Sequence, residues 1–95
     1  MSEISVSIRF FNILASYAGT RQMEICLDEG ATIRNVLDHL MKTGSQELRQ
    51  ILVRNGEFNK SLKIFHNQKL VTDDMLVLPL HGGDELMILP AMAGG

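Results

Sequence analysis

Ninety-five residues, 45% hydrophobic and 21% charged with a net charge of −2, bound a single modest domain able to bury about 60% of its unfolded surface. The nine Lys and Arg residues are scattered from Arg9 to Lys69 without a basic run, which argues against a nucleic-acid partner. Met1-Ser2-Glu3 opens no leader pattern, no stretch approaches the roughly 20 apolar residues of a membrane span, and the one cysteine, Cys26, cannot form an internal disulfide, so a cytoplasmic protein away from membranes is expected.

Residues Ile4 to Phe11 alternate, with Ile4, Val6, Ile8 and Phe10 on one face and Ser5, Ser7, Arg9 and Phe11 on the other. That period of two predicts a half-buried strand. Gly19-Thr20 falls in a long connection, after which Met23, Ile25 and Leu27 alternate with Glu24, Cys26 and Asp28. A second strand returning beside the first is expected.

Thr32 is placed to cap a helix in which Ile33, Val36, Leu37, Leu40 and Met41 repeat at helical spacing, and Gly44 is placed to end it. Ser45 opens a shorter helix with Leu48, Ile51 and Leu52 inward, closing near Gly56. Leu62 to Asn67 reads as a third strand with apolar residues on both faces. Pro79 and the Gly82-Gly83-Asp84 turn interrupt the chain before a last strand, Glu85 to Leu89. The order predicts an α+β domain spanning 1–95, with one main helix packed on a mixed sheet.

The sequence ends Ala91-Met92-Ala93-Gly94-Gly95. At glycine's average usage, two final glycines arise by chance in about one chain in 200. Without a Cβ, such residues pass a constriction sized for backbone alone. The segment 91–95 is expected to be a flexible tail.

Four stretches together resemble the MoaD/ThiS family of ubiquitin-like sulfur carriers, which have the β-grasp fold. They are Val6 to Phe11, Ala31 to Leu37, Ile64 to Asn67, and Gly83 to Gly95, where a Gly-Asp-Glu turn, an apolar strand, Pro90 and a small-residue Gly-Gly tail follow in order. The last stretch is the specific one. With the insertion from Ser45 to Ser61, it is similar to the longer MoaD-like branch that includes CysO and archaeal ubiquitin-like modifiers. Lys63, His66 and Gln68 depart from the family pattern, where Asn, Val and Gly are common, and bear on which partner is cognate.

The resemblance implies a chemistry. A terminal carboxylate, with a pKa near about 3.5, is ionised at neutral pH and a poor electrophile until activated. In this family an E1-like adenylyltransferase uses ATP to adenylate the terminal glycine, and sulfur then displaces AMP to leave a thiocarboxylate. Gly95 would carry the sulfur and Gly94 would be its narrow neighbour. The sulfur acceptor would be a molybdopterin synthase large subunit in molybdenum or tungsten cofactor synthesis, this chain being the small subunit. Cysteine or another thio-cofactor pathway, or conjugation to protein lysines through Gly95, are the alternatives. The chain itself would be a co-substrate, not catalytic alone, binding no metal and no cofactor.

Extended, Pro90 to Gly95 reaches roughly 20 Å. Pro90 fixes its own φ and restrains Leu89, so the strand should end cleanly. If Ile4, Val6, Ile8 and Phe10 face the helix, then Phe11, Lys63, Phe65, Met87 and Leu89 share the open face, with Met87 and Leu89 exposed. Together with Pro90 and Met92 they form the expected partner-binding surface.

Other candidates carry less. His39, His66 and His81 are far apart and lack the spacing of a zinc or catalytic site. Strand alternation puts Cys26 beside Glu24 with no cation next to it, so a structural role is expected. Gly82-Gly83 precedes neither a lysine nor a helix N-terminus, unlike a phosphate loop. Asp73-Asp74 and Asp84-Glu85 read as solvated turn residues.

Overall fold

In the computed structural model, residues 2–90 are described. Strand β1 (Glu3–Phe10) buries Val6, Ile8 and Phe10, as its alternation predicts, while Ile4, near the strand's start, is only partly buried. It pairs antiparallel with β2 (Gln22–Asp28) along its length, Val6 standing opposite Ile25. The two strands are not joined by a plain connection. Helix α1 (Ile13–Ala18) lies between them, anchored by buried Leu14 and closed by Gly19, whose φ of 78° lets its N–H reach the carbonyls of Ala15 and Ser16. With six residues and one buried side chain, it carries no periodic signal in the sequence.

Helix α2 (Ile33–Thr43) begins at Thr32 and ends at Gly44, as expected. The Thr32 Oγ1 accepts the Asn35 N–H at 3.3 Å, and Asn35 Oδ1 accepts the Thr32 N–H at 2.8 Å, a reciprocal cap. Ile33, Val36 and Leu40 face the sheet. A Cβ on Gly44 would stand 2.5 Å from the Leu40 carbonyl oxygen, so the sharp exit into α3 requires glycine there. Helix α3 (Gln46–Leu52) is capped by Ser45 and buries Leu48 and Leu52, with Ile51 partly buried.

The helix stops at Leu52, short of Gly56. The Asn55-Gly56 pair instead turns a small hairpin, β3 (Val53–Arg54) with β4 (Glu57–Phe58), at φ values of 57° and 80°. Both left-handed residues suit a tight hairpin turn. Buried Asn59 pins this hairpin, its side-chain amide donating to the Ile51 carbonyl at 2.9 Å.

Strand β5 (Leu62–His66) buries Leu62 and Ile64, and the short β6 (Lys69–Leu70) folds back beside it. A 3-10 turn at Asp73–Val77 leads to buried Leu80 and then to β7 (Glu85–Pro90). The sheet order is β2-β1-β7-β5-β6, with β7 parallel to β1 and antiparallel to β5. The last described strand in sequence is therefore the middle strand of the sheet. Leu86 and Ile88 are buried in the hydrophobic core, so the strand leading to residues 91–95 is anchored there.

Candidate functional site

Because β7 is central, the residues on either side of it are fixed by register. On the face turned away from the helices, Arg9 of β1 lies beside Met87, Met87 opposite Phe65 of β5, and Phe65 opposite Leu70 of β6. One step toward the end of β7, Leu89 is opposite Lys63. Phe11, just past β1, donates its N–H to the Ile88 carbonyl at 3.2 Å and so stays beside β7. The five sequence-predicted residues Phe11, Lys63, Phe65, Met87 and Leu89 thus share one face.

Their exposure is more graded than alternation alone implies. Lys63 is exposed, but Phe11, Phe65, Met87 and Leu89 are each half-buried. The expectation that Met87 and Leu89 stand exposed is corrected to half-buried, because large neighbours in one row shield one another. Pro90 also differs from its expected place just beyond the strand: it is the last residue of β7, opposite Leu62, and half-buried. Proline fits a strand end, where no further ladder N–H is needed. Met92, Gly94 and Gly95 lie outside the described residues.

Two members of this face were missed. Leu70 is 49% exposed opposite Phe65, but a two-residue strand gives no period to read. Arg9 shares the Ser5, Ser7, Arg9, Phe11 alternation and could have been found by it. Its guanidinium carbon lies 5.7 Å from the centroid of the Phe11 ring, within cation–π range. With Arg21 and Phe11 it also lines a shallow depression of about 640 Å³ beside β1. The half of the open face nearest Pro90 therefore combines apolar area with Arg9 and Lys63, while Glu3, Glu24, Asp28 and Glu85 occupy the other half. A surface of this kind suits an apolar partner patch with an acidic rim.

The start of β7 is held by a polar cluster that sequence reading dispersed. Asp84 is only 9% exposed. Its Oδ2 accepts from the His81 N–H at 2.9 Å and lies 2.8 Å from His66 Nε2, and its Oδ1 accepts from Asn67 Nδ2 at 3.0 Å. Burial raises the Asp84 pKa, but the His81 N–H, the Asn67 amide and His66 together outweigh it and hold the carboxyl below its ordinary value. Asn67 in turn accepts the Glu85 N–H at 2.9 Å. This corrects the reading of Asp84 as a solvated turn residue, and it gives His66 a carboxylate partner that spacing did not reveal. The cluster ties the β5–β6 turn to β7 and is structural. Cys26 stands exposed on β2, opposite Ser5, well away from the apolar rows.

Among the described residues, no group of three His, Cys, Asp or Glu side chains is arranged to hold a metal. No described helix is long and apolar enough to cross a membrane.

The profile of the ThiS family matches residues 8–95. A protein of Archaeoglobus fulgidus described as a "Putative sulfur carrier protein" is 31% identical over 80 residues, 82% of this chain and 91% of that one. The crystal structure of SAMP1 from Haloferax volcanii superposes with a TM-score of 0.80 at 26% identity, covering 96% of this chain and 99% of that one. A chain of the Amycolatopsis orientalis BexX/CysO complex superposes with a TM-score of 0.73 at 26% identity, covering 95% and 99%. With a ubiquitin-like β-grasp architecture and a family match over nearly its whole length, the chain belongs to the ThiS family, within the MoaD/ThiS group of ubiquitin-like sulfur carriers.

Proposed function

We propose that this chain is a cytoplasmic β-grasp domain that carries sulfur on the carboxyl group of Gly95. An E1-like enzyme joins that carboxylate to AMP with loss of pyrophosphate, and a sulfur nucleophile then displaces AMP, leaving a C–S bond in place of one C–O bond. Gly94 supplies the narrow approach to the activating site. The observation that carries this reading is the family match running through Gly95 on a chain whose central strand ends, at Pro90, beside the apolar rows of Phe11, Phe65, Met87 and Leu89. Residues 91–95, with Met92 among them, continue from that strand, so a partner gripping the open face would hold the start of the tail at a fixed distance from its own active site.

The chemistry lies in the partners. The chain contributes reach and a docking surface, and ATP is used by the activating enzyme. Removing Gly95 should abolish pyrophosphate release by the cognate activating enzyme while leaving the fold intact. Pyrophosphate release that persists without Gly95 would overturn the assignment.

For the acceptor, we propose the large subunit of molybdopterin synthase, following the resemblance to MoaD. Co-purification with that subunit supports it. The likeness to CysO favours delivery to cysteine or another thio-cofactor pathway as the second reading. The likeness to SAMP1, a small archaeal modifier protein, favours conjugation, which would leave Gly-Gly remnants on lysines of other proteins.

A further inference from the structure

The far edge of the sheet points to a second interaction surface. Strand β2 is an outer strand, paired to β1 on one side only among the described residues. The β1–β2 ladder has hydrogen bonds from Phe10 N to Arg21 O at 2.9 Å and from Glu29 N to Ser2 O at 3.0 Å. Alternation from those two pairs turns the main-chain groups of Arg21, Met23, Ile25, Leu27 and Glu29 toward β1. The N–H and C=O groups of Gln22, Glu24, Cys26 and Asp28 therefore point to the free edge.

The two ends of that edge are already engaged. The Thr20 hydroxyl donates to the Gln22 carbonyl at 2.8 Å and accepts from the Gln22 N–H at 3.3 Å. The Asp28 carbonyl accepts the Ala31 N–H at 3.0 Å. What remains open is the middle, Glu24 and Cys26, flanking Ile25.

We infer that the free edge of β2 is a self-association surface, on which a second copy of this chain pairs its own β2 antiparallel about Ile25 and joins the two sheets. Only this register sets the two open residues against each other, Glu24 to Cys26 and Cys26 to Glu24, making four main-chain hydrogen bonds. On the helix side it opposes Ile25 to Ile25 and Met23 to Leu27, three apolar residues that are buried or half-buried in one copy. At both ends Arg21 meets Glu29 of the second copy, and on the open face Gln22 meets Asp28.

Neighbouring registers fail on charge. Centring on Glu24 opposes it to itself, and centring on Cys26 opposes Glu24 to Asp28 twice. Centring on Met23 or Leu27 sets Arg21 or Glu29 against Ile25. The alternation of faces excludes shifts of a single residue when both helix layers lie on one side. The pairing leaves β7 two strands, about 10 Å, from the joint, so both open faces near Pro90 remain available.

The test is sedimentation of the full chain across a concentration series, with charge and cysteine variants. A reversible dimer is expected. Glu29→Arg should raise its dissociation constant about tenfold, and adding Arg21→Glu should restore it, because the pair is then reversed instead of broken. Glu24→Pro removes an outward N–H that β1 does not use, and should give a folded monomer.

Register is read by Glu24→Cys with a mild oxidant such as copper phenanthroline, whose Cu(II) takes the two electrons from each pair of thiols while their two protons pass to solvent. Directly opposed residues of a hydrogen-bonded pair are about 5.5 Å apart, within disulfide range. Peptide mapping should find position 24 joined to Cys26 of the second copy. A monomer at every concentration, a failure of the double reversal to restore association, or dominant 24–24 or 26–26 links would overturn the inference.

Discussion

Replacing Asp84 with asparagine should destabilise the protein at neutral pH and remove part of its sensitivity to acid. The carboxylate accepts from three donors, the His81 N–H, the Asn67 amide and His66 Nε2, at 2.9, 3.0 and 2.8 Å. An asparagine offers one accepting oxygen and one donating amide. Whichever way it is turned, an N–H meets another donor in a site only 9% exposed. Hydrogen bonds to charged groups are worth about 1.5–3 kcal/mol, so losing at least one and stranding its donor should cost about 2–3 kcal/mol. For a chain of this size that lowers Tm by about 10 °C or more.

The sign of the pH effect follows from the lowered pKa. Because the folded-state carboxyl titrates below its ordinary value, its contribution is fully present above about pH 4, the unfolded value, and fades as pH falls through the folded one. Urea unfolding of the parent and Asp84→Asn at pH 7 and at steps down from pH 5 measures both effects. The variant should be weaker at pH 7 and lose less stability below pH 4. A variant within about 0.5 kcal/mol of the parent at pH 7, or one with an unchanged acid slope, would refute the role given to the cluster.

Three further outcomes are expected. Gln68 sits at a φ of 76° beside Asn67 at 49°, a turn in which glycine is at ease, so Gln68→Gly should stabilise the fold by about 1 kcal/mol in urea unfolding. Thr32→Ala removes one arm of the reciprocal cap on α2 and should cost about 1 kcal/mol by the same assay. Phe65→Ala trims the centre of the Met87–Phe65–Leu70 row and should weaken capture by the activating enzyme by about 2 kcal/mol, raising KM roughly thirtyfold with little change in kcat.

The elements visible in the sequence are those whose apolar period runs over several residues. The alternation of Val6, Ile8 and Phe10, the helical spacing of Ile33, Val36 and Leu40, and the caps Thr32 and Ser45 all correspond to observed structure. What escaped were pieces too short to have a period. Helix α1 is six residues long with Leu14 its one fully buried side chain, β6 is two residues long, and the β3–β4 hairpin is held from outside by Asn59. The Asn55-Gly56 turn carried its own signal, but the preceding helix pattern drew it in as a terminus. Most of the open face was legible in membership because strand alternation assigns sides, but Leu70, on the two-residue β6, was not. The face's depth of burial was not legible, because shielding among Phe65, Met87 and Leu89 arises from pairing between strands distant in sequence. The Asp84 cluster was hidden for the same reason, joining residues 17 and 18 apart with β6 and the 3-10 turn between them.

If Gly95 carries the sulfur, the change is confined to one atom of its carboxyl group. The full chain, incubated with its cognate E1-like enzyme, ATP and a sulfur donor, should gain the mass of one oxygen-to-sulfur exchange, and fragmentation should place that sulfur on the peptide ending in Gly94-Gly95. An unchanged mass under conditions where the enzyme and donor are active, or sulfur found at Cys26 instead, would contradict it.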